Sequence, residues 1–222
     1  MSDKELPLNV LLDNLGLFGQ AFLGTIQLFV VAAIGSLIGG LLLAAMRVSP
    51  VPVLRSFGTV YVNTVRNTPL TLVFFFFAFA YPRIEIANLS FFTRACAALI
   101  MYTSAFVCEV VRSGINTVPV GQAEASRALG FTFTQTLSEI VLPQAVRAVI
   151  PPLTNIEIAL LKNTTIAAGF SVFEAGSVYQ TLSERGYNVF AGLLWVAVGF
   201  VILVIPLTAF QQRLEQSWSV AR

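Results

Sequence analysis

Glu157 and Lys162 stand five residues apart inside the otherwise apolar stretch 148–170, where Thr164 and Thr165 follow at once. Arg66 and Pro69 interrupt a second apolar stretch, 56–80. A charged side chain at the centre of a lipid-facing helix costs about 2.5 to 3.5 kcal/mol on insertion scales, so Glu157 and Lys162 must face protein or water. A five-residue offset turns them in different directions on one helix and makes them poor partners for each other. One reading pairs them with another span or with a second subunit; the other puts them in contact with a solute crossing the bilayer. On the second reading a cation such as Arg66 or Lys162 suits an acidic amino acid, and a carboxylate suits a basic one. Both signs are present, so charge alone does not choose the substrate. The hydroxyls of Thr164 and Thr165 serve either a passing solute or the carbonyls of their own helix.

Other chemistry has little to work with. The chain has no histidine, and its two cysteines, Cys96 and Cys108, lie in apolar context without a CxxC spacing. No GxxxxGK[ST] phosphate loop occurs and Lys162 lacks the upstream glycines, so no ATPase site, cofactor site or metal site is expected, and the chain reads as a non-enzyme. Net charge is +2 with 13 dispersed Lys and Arg, which is no surface for nucleic acid.

The elements that carry these residues are membrane spans. Of the 222 residues 56% are apolar and 11% charged, against roughly 25% charged in a soluble domain. The stretches 14–46 and 186–212 carry no charge at all. A helix of about 20 residues covers about 30 Å, enough to cross the hydrocarbon. Windows of that order predict an all-α polytopic fold with five transmembrane helices near 21–46, 56–80, 91–111, 148–170 and 188–210. Gly35, Gly39 and Gly40 give the first a small-residue face for close helix contact. Phe74 to Phe77 circle their helix and read as packing rather than a ligand cage. Segment 1–19 lacks a signal-peptide pattern and reads as amphipathic, with Leu8, Leu11, Leu12 and Leu15 along the membrane surface. Tyr187 and Trp218 flank the last span as interface anchors.

Five crossings put the termini on opposite sides. Arg47, Arg55, Arg112, Arg127, Arg147, Arg213 and Arg222 fall on one side, against Lys4, Arg83, Arg94 and Arg185 on the other. The positive-inside bias then predicts the N-terminus outside and the C-terminus in the cytoplasm. Glu109 and Arg112, three apart, are expected to pair at the inner end of the third span. The only long cytoplasmic segment is 112–146, within the membrane domain 20–215. It predicts one helix over 120–129 behind Pro119, a break at Gly130, and a second helix over 134–142 capped by Thr134 and ended by Pro143. Two short helices around a glycine make a knob able to dock into a partner's groove, and small side chains at Ala123, Ala125, Ser126 and Ala128 permit close approach.

Glu124-Ala125-Ser126, three residues, Gly130, nine residues, Ile140, one residue and Leu142-Pro143 together resemble the cytoplasmic signature loop of bacterial ATP-binding-cassette import permeases. Ser126 departs from the usual Ala. The runs 66–70 (RNTPL), 143–145 (PQA), 151–155 (PPLTN) and 162–165 (KNTT) are similar to the polar amino acid subfamily, most of all to actinobacterial glutamate-uptake permeases. The resemblance spans roughly 15–215. It implies a complex of two permease subunits, copies or paralogues, with two ATPase subunits that hold ATP and Mg. An external solute-binding protein delivers the amino acid, which is glutamate or, alternatively, glutamine, histidine or arginine. It further implies that the knob sits in a cleft of the ATPase, so that closure of the nucleotide dimer switches the permease from outward to inward access. An ATPase-independent secondary transporter or channel is the competing class, for which an inverted repeat or a filter-like loop would speak.

Overall fold

The computed structural model describes residues 6–219, and every regular element among them is helical. The expectations for Lys4, Arg222 and the Trp218 side chain concern positions outside the described residues. A short α1 (Pro7–Leu12) leads into the long α2 (Leu15–Val48). Next come α3 (Pro52–Arg66), α4 (Leu70–Phe75) and α5 (Phe91–Asn116). The connector holds α6 (Val120–Ala128) and the single turn α7 (Phe133–Gln135). It returns through α8 (Leu142–Asn163), α9 (Val178–Glu184) and α10 (Val189–Ser219).

On length and apolarity α2, α5 and α10 each suffice to cross a membrane, and a fourth span results if 133–170 and Ala175–Glu184, bent by 46°, count as one. The expected crossing at 56–80 is not one continuous helix. Pro69 lacks an N–H and drives Thr68 out of helical geometry, so α3 stops at Arg66 and α4 starts at Leu70. Side chains cover carbonyls freed at the break, with Asn67 Nδ2 on Asn63 O at 2.7 Å and Thr68 Oγ1 on Thr64 O at 2.9 Å. Beyond Phe75 the chain loosens into a π turn, Phe76–Ala80, and a 3₁₀ turn, Tyr81–Ile84.

The centre of the bundle is α2 against α5. A Cβ at Gly35, Gly39 or Gly40 would run into Ile100, Ser104 and Val107 of α5, so the backbones touch where the sequence predicted a small-residue face. Leu28, Phe74, Leu99 and Leu160 close the main apolar core, with Phe74 stacked on Phe170 at 5.1 Å. A second core gathers Val10, Phe18, Ala175, Val178 and Leu182 beneath α1. Trp195 Nε1 donates to Pro7 O at 2.7 Å and fastens α1 to α10, while Leu8, Leu12 and Leu15 stay exposed along the outside. Tyr187, expected as an interface anchor, donates from its hydroxyl to Asp13 at 3.3 Å.

Candidate functional site

The knob is built by two local devices. Behind Pro119, α6 runs to Ala128 and reverses over Leu129 and Gly130, where Gly130 N donates to Arg127 O at 3.0 Å and Phe131 N to Ser126 O at 3.1 Å. This paired closure needs a left-handed residue, and Gly130 has φ +91°. Open space surrounds the Gly130 Cα, so backbone handedness rather than crowding demands glycine. The second helix differs from expectation in both ends. Its cap is Thr132, not Thr134: Thr132 Oγ1 accepts from Gln135 N at 3.3 Å and Thr132 N donates to Gln135 Oε1 at 2.9 Å. Pro143 does not end it either. The chain passes from α7 through a π turn, Thr136–Val141, into α8, and Pro143 fits in that helix's first turn, where a missing N–H costs nothing.

Ser126 explains how the two halves hold together. It is buried and its Oγ lies 2.9 Å from Thr136 Oγ1, while also bonding Ala123 O at 2.9 Å. Glu124, Ala125, Gly130, Leu142 and Pro143 are exposed, and Ile140 is half-buried. Val120, Phe133 and Leu129 are 73%, 73% and 81% exposed. Large apolar side chains held out by an ordered protrusion mark a protein-binding surface.

Next to the root of this connector three arginines converge on one carboxylate. Glu109 Oε2 accepts from Arg47 Nη1 at 2.6 Å and Oε1 from Arg112 Nη2 at 2.6 Å, with Arg66 Nη1 at 3.4 Å. The Glu109–Arg112 pair is where the sequence predicted it. Arg47, 62 residues away, was not anticipated, and Arg66, expected on the solute route, joins this cluster and lies over the Phe106 ring. The carboxylate thus ties together the ends of α2, α3 and α5.

The remaining polar residues of the spans do not converge. Glu157 has both carboxylate oxygens buried without a hydrogen bond among the described residues, in the wall of an apolar cavity of about 440 Å³ with Phe29, Leu37, Leu153 and Phe210. Lys162 is exposed and opens on a different cavity of about 470 Å³ beside Phe200, Val204 and Thr208. Thr164 Oγ1 and Thr165 Oγ1 bond back to Leu161 O at 2.7 Å and Lys162 O at 2.8 Å, which is the helix-bonding alternative. Sequence reasoning missed Glu174 altogether. Fully buried, it accepts from Thr25 Oγ1 at 3.0 Å, and Thr25 Oγ1 in turn accepts from Ala175 N at 3.0 Å. The one signal was Thr25 itself, a hydroxyl in an uncharged span.

Residues 33–220 match the binding-protein-dependent transport system inner membrane component family. The chain belongs to that family. It is 48% identical over 214 residues to the glutamate transport system permease protein GluC of Corynebacterium efficiens, covering 91% of this chain and 94% of that one. Against the probable glutamine ABC transporter permease protein GlnM of Bacillus subtilis it is 36% identical, with 95% and 99% covered. The crystal structure of an amino acid ABC transporter with histidines superposes with a TM-score of 0.88 at 24% identity, covering 94% of this chain and 97% of that one. That likeness extends to the inward-facing MetNI methionine ABC transporter, with a TM-score of 0.73 at 21% identity over 91% and 96% of the two chains. As a permease of this family the chain is a multi-pass membrane protein and the non-catalytic part of an ABC importer. It works with ATPase subunits, which bind ATP and Mg, and with a paired permease and a solute-binding protein.

Proposed function

We propose that this permease carries glutamate into the cell as one half of an alternating-access pathway, crossing the membrane five times with its N-terminus outside and its C-terminus in the cytoplasm. The fifth crossing is α3 with α4, a span broken at Asn67–Pro69. The domain plan follows: the described part of segment 1–19, residues 6–19, lies at the outer surface, and the membrane domain 20–215 contains the coupling loop 112–146. Glu124, Ala125, Ser126, Gly130, Ile140, Leu142 and Pro143 form the part that engages the ATPase.

One observation carries the reading: the connector between α5 and α8 is a folded knob, closed at Gly130 and cross-tied by Ser126 and Thr136, with apolar side chains turned outward. A rigid protrusion transmits displacement, whereas a loose loop absorbs it. Its root lies beside the Glu109 cluster, so a push on α6 reaches α2, α3 and α5 together. Of the residues expected on the solute route, Lys162 is the exposed cation that suits an acidic substrate, while Arg66 is engaged by Glu109 and Thr164 and Thr165 bond to their own helix. The 48% identity to a glutamate permease supports glutamate over glutamine.

The test is uptake by the reconstituted complex with its ATPases and binding protein, across Glu, Asp, Gln, His and Arg. Preference for glutamate is expected; preference for glutamine or a basic amino acid would replace the substrate, and uptake without ATPase subunits would overturn the mechanism. Labelling of single cysteines in α6 from the cytoplasmic side alone checks the orientation.

A further inference from the structure

A cavity of about 290 Å³ lies between the 3₁₀ turn that follows α4 and the start of α5, lined by Tyr81, Glu85, Asn88 and Arg94. With α5 26 residues long, about 39 Å, it sits at the opposite end of the bundle from α6. Nothing in the coupling mechanism uses it.

Arg94 is held from two sides. Its Nη1 donates to Ala78 O at 3.2 Å and its guanidinium lies 4.3 Å from the centre of the Phe91 ring. Its Nε is buried and bonds nothing among the described residues, and no carboxylate among them pairs with it. A guanidinium offers five N–H donors, and leaving buried donors without an acceptor is costly. This side chain is fixed in place yet short of the anion that its geometry suits. A second void of only about 10 Å³ also touches Arg94, lined by Phe74, Phe77 and Phe170. The recess also holds an acid, Glu85, whose backbone turns left-handed at φ 56°, and two neutral polar groups, Tyr81 and Asn88. One fixed cation, one anion and neutral donors in a space at the small end of ligand sites match an α-carboxylate with its neighbouring ammonium.

We infer that this recess binds a free amino acid, with Arg94 taking the carboxylate and Glu85 the ammonium. The inference rests on the importer reading above, which turns the recess to the outside. An acidic side chain of the solute-binding protein would present the same carboxylate chemistry, and the experiment separates the two sources.

The full complex, in lipid nanodiscs without binding protein, is labelled with a trifluoromethyl probe at Ala87→Cys, an exposed lining position; Cys96 and Cys108 are buried and stay unlabelled. L-glutamate and the amine-free diacid glutarate should each shift the fluorine resonance saturably, and putrescine, which has no carboxylate, should not. R94Q should weaken both acids about tenfold or more. E85Q, at an exposed residue that leaves folding alone, should weaken L-glutamate and spare glutarate. No saturable shift in the wild type, equal shifts in R94Q, or an E85Q variant that binds L-glutamate unchanged would each overturn the site. So would an R94Q effect confined to association of the binding protein. If the wild-type complex with binding protein and ATP takes up no amino acid, the importer reading itself fails; normal uptake beside an unresponsive probe removes only this site.

Discussion

Arg47 near the end of α2 and Glu109 of α5 meet at 2.6 Å across 62 residues of sequence, and the same carboxylate holds Arg112 and Arg66. Glu109 is therefore the only anion in a group of three cations, at a point where three helices join. Glu109→Gln leaves the guanidiniums facing one another and should cost about 1 to 2 kcal/mol, the scale for charge-assisted hydrogen bonds lost at a part-buried site. Thermal unfolding of the solubilised protein reads this. Adding Arg47→Gln should restore part of the loss; a double variant that merely sums the two single effects would show that the pair does not interact.

Gly130 is required for its backbone sign. Gly130→Ala should cost about 1 kcal/mol in the knob, and Gly130→Asn less, because Asn tolerates the left-handed region better than other residues. Both should insert normally. Substrate-stimulated ATPase activity and uptake should fall further in the Ala variant than in the Asn variant. The reverse order would mean that the side chain, and not the turn, is what the partner reads.

Ser126 and Thr136 share one hydrogen bond between buried hydroxyls. Ser126→Ala takes away the partner of the buried Thr136 hydroxyl, at about 1 to 2 kcal/mol, whereas after Thr136→Val Ser126 still donates to Ala123 O and the loss should be smaller; the two changes together should cost less than their sum. Hydrogen exchange of the amides in 120–141 is the measurement. Uniform protection across all variants would remove the cross-tie from the account.

Thr25→Val removes the hydroxyl that donates to the fully buried Glu174, leaving that carboxylate to the Ser177 N–H beside it. A loss of about 1 to 3 kcal/mol is expected, and Thr25→Ser, which keeps the hydroxyl, should retain most of the stability. If Ser behaves as badly as Val, packing of the methyl group and not the hydrogen bond is what matters.

Much of the helical order was legible because uncharged runs and proline stops act locally: α5 starts at Phe91 and α6 at Val120 as expected, whereas α2 begins at Leu15 rather than near 21 and α10 runs to Ser219 rather than near 210. The broken crossing was half legible. Pro69 was visible as an irregularity, but that it splits the span depends on Asn67 and Thr68 covering the freed carbonyls, which no hydropathy window registers. Capping of the second knob helix went to the wrong threonine, since Thr132 and Thr134 flank Phe133 in one short run and the Gln135 side chain decides between them. Long-range polar contacts were nearly illegible. Arg47 reads as one more inner-side cation until α5 brings Glu109 to it, and only the hydroxyl of Thr25 in an uncharged span hints at Glu174.

The glycine seam between α2 and α5 constrains where anything can pass. With Gly35, Gly39 and Gly40 pressed onto Ile100, Ser104 and Val107, this joint is close-packed along more than one turn. A travelling molecule must therefore skirt this pair rather than pass between its two helices.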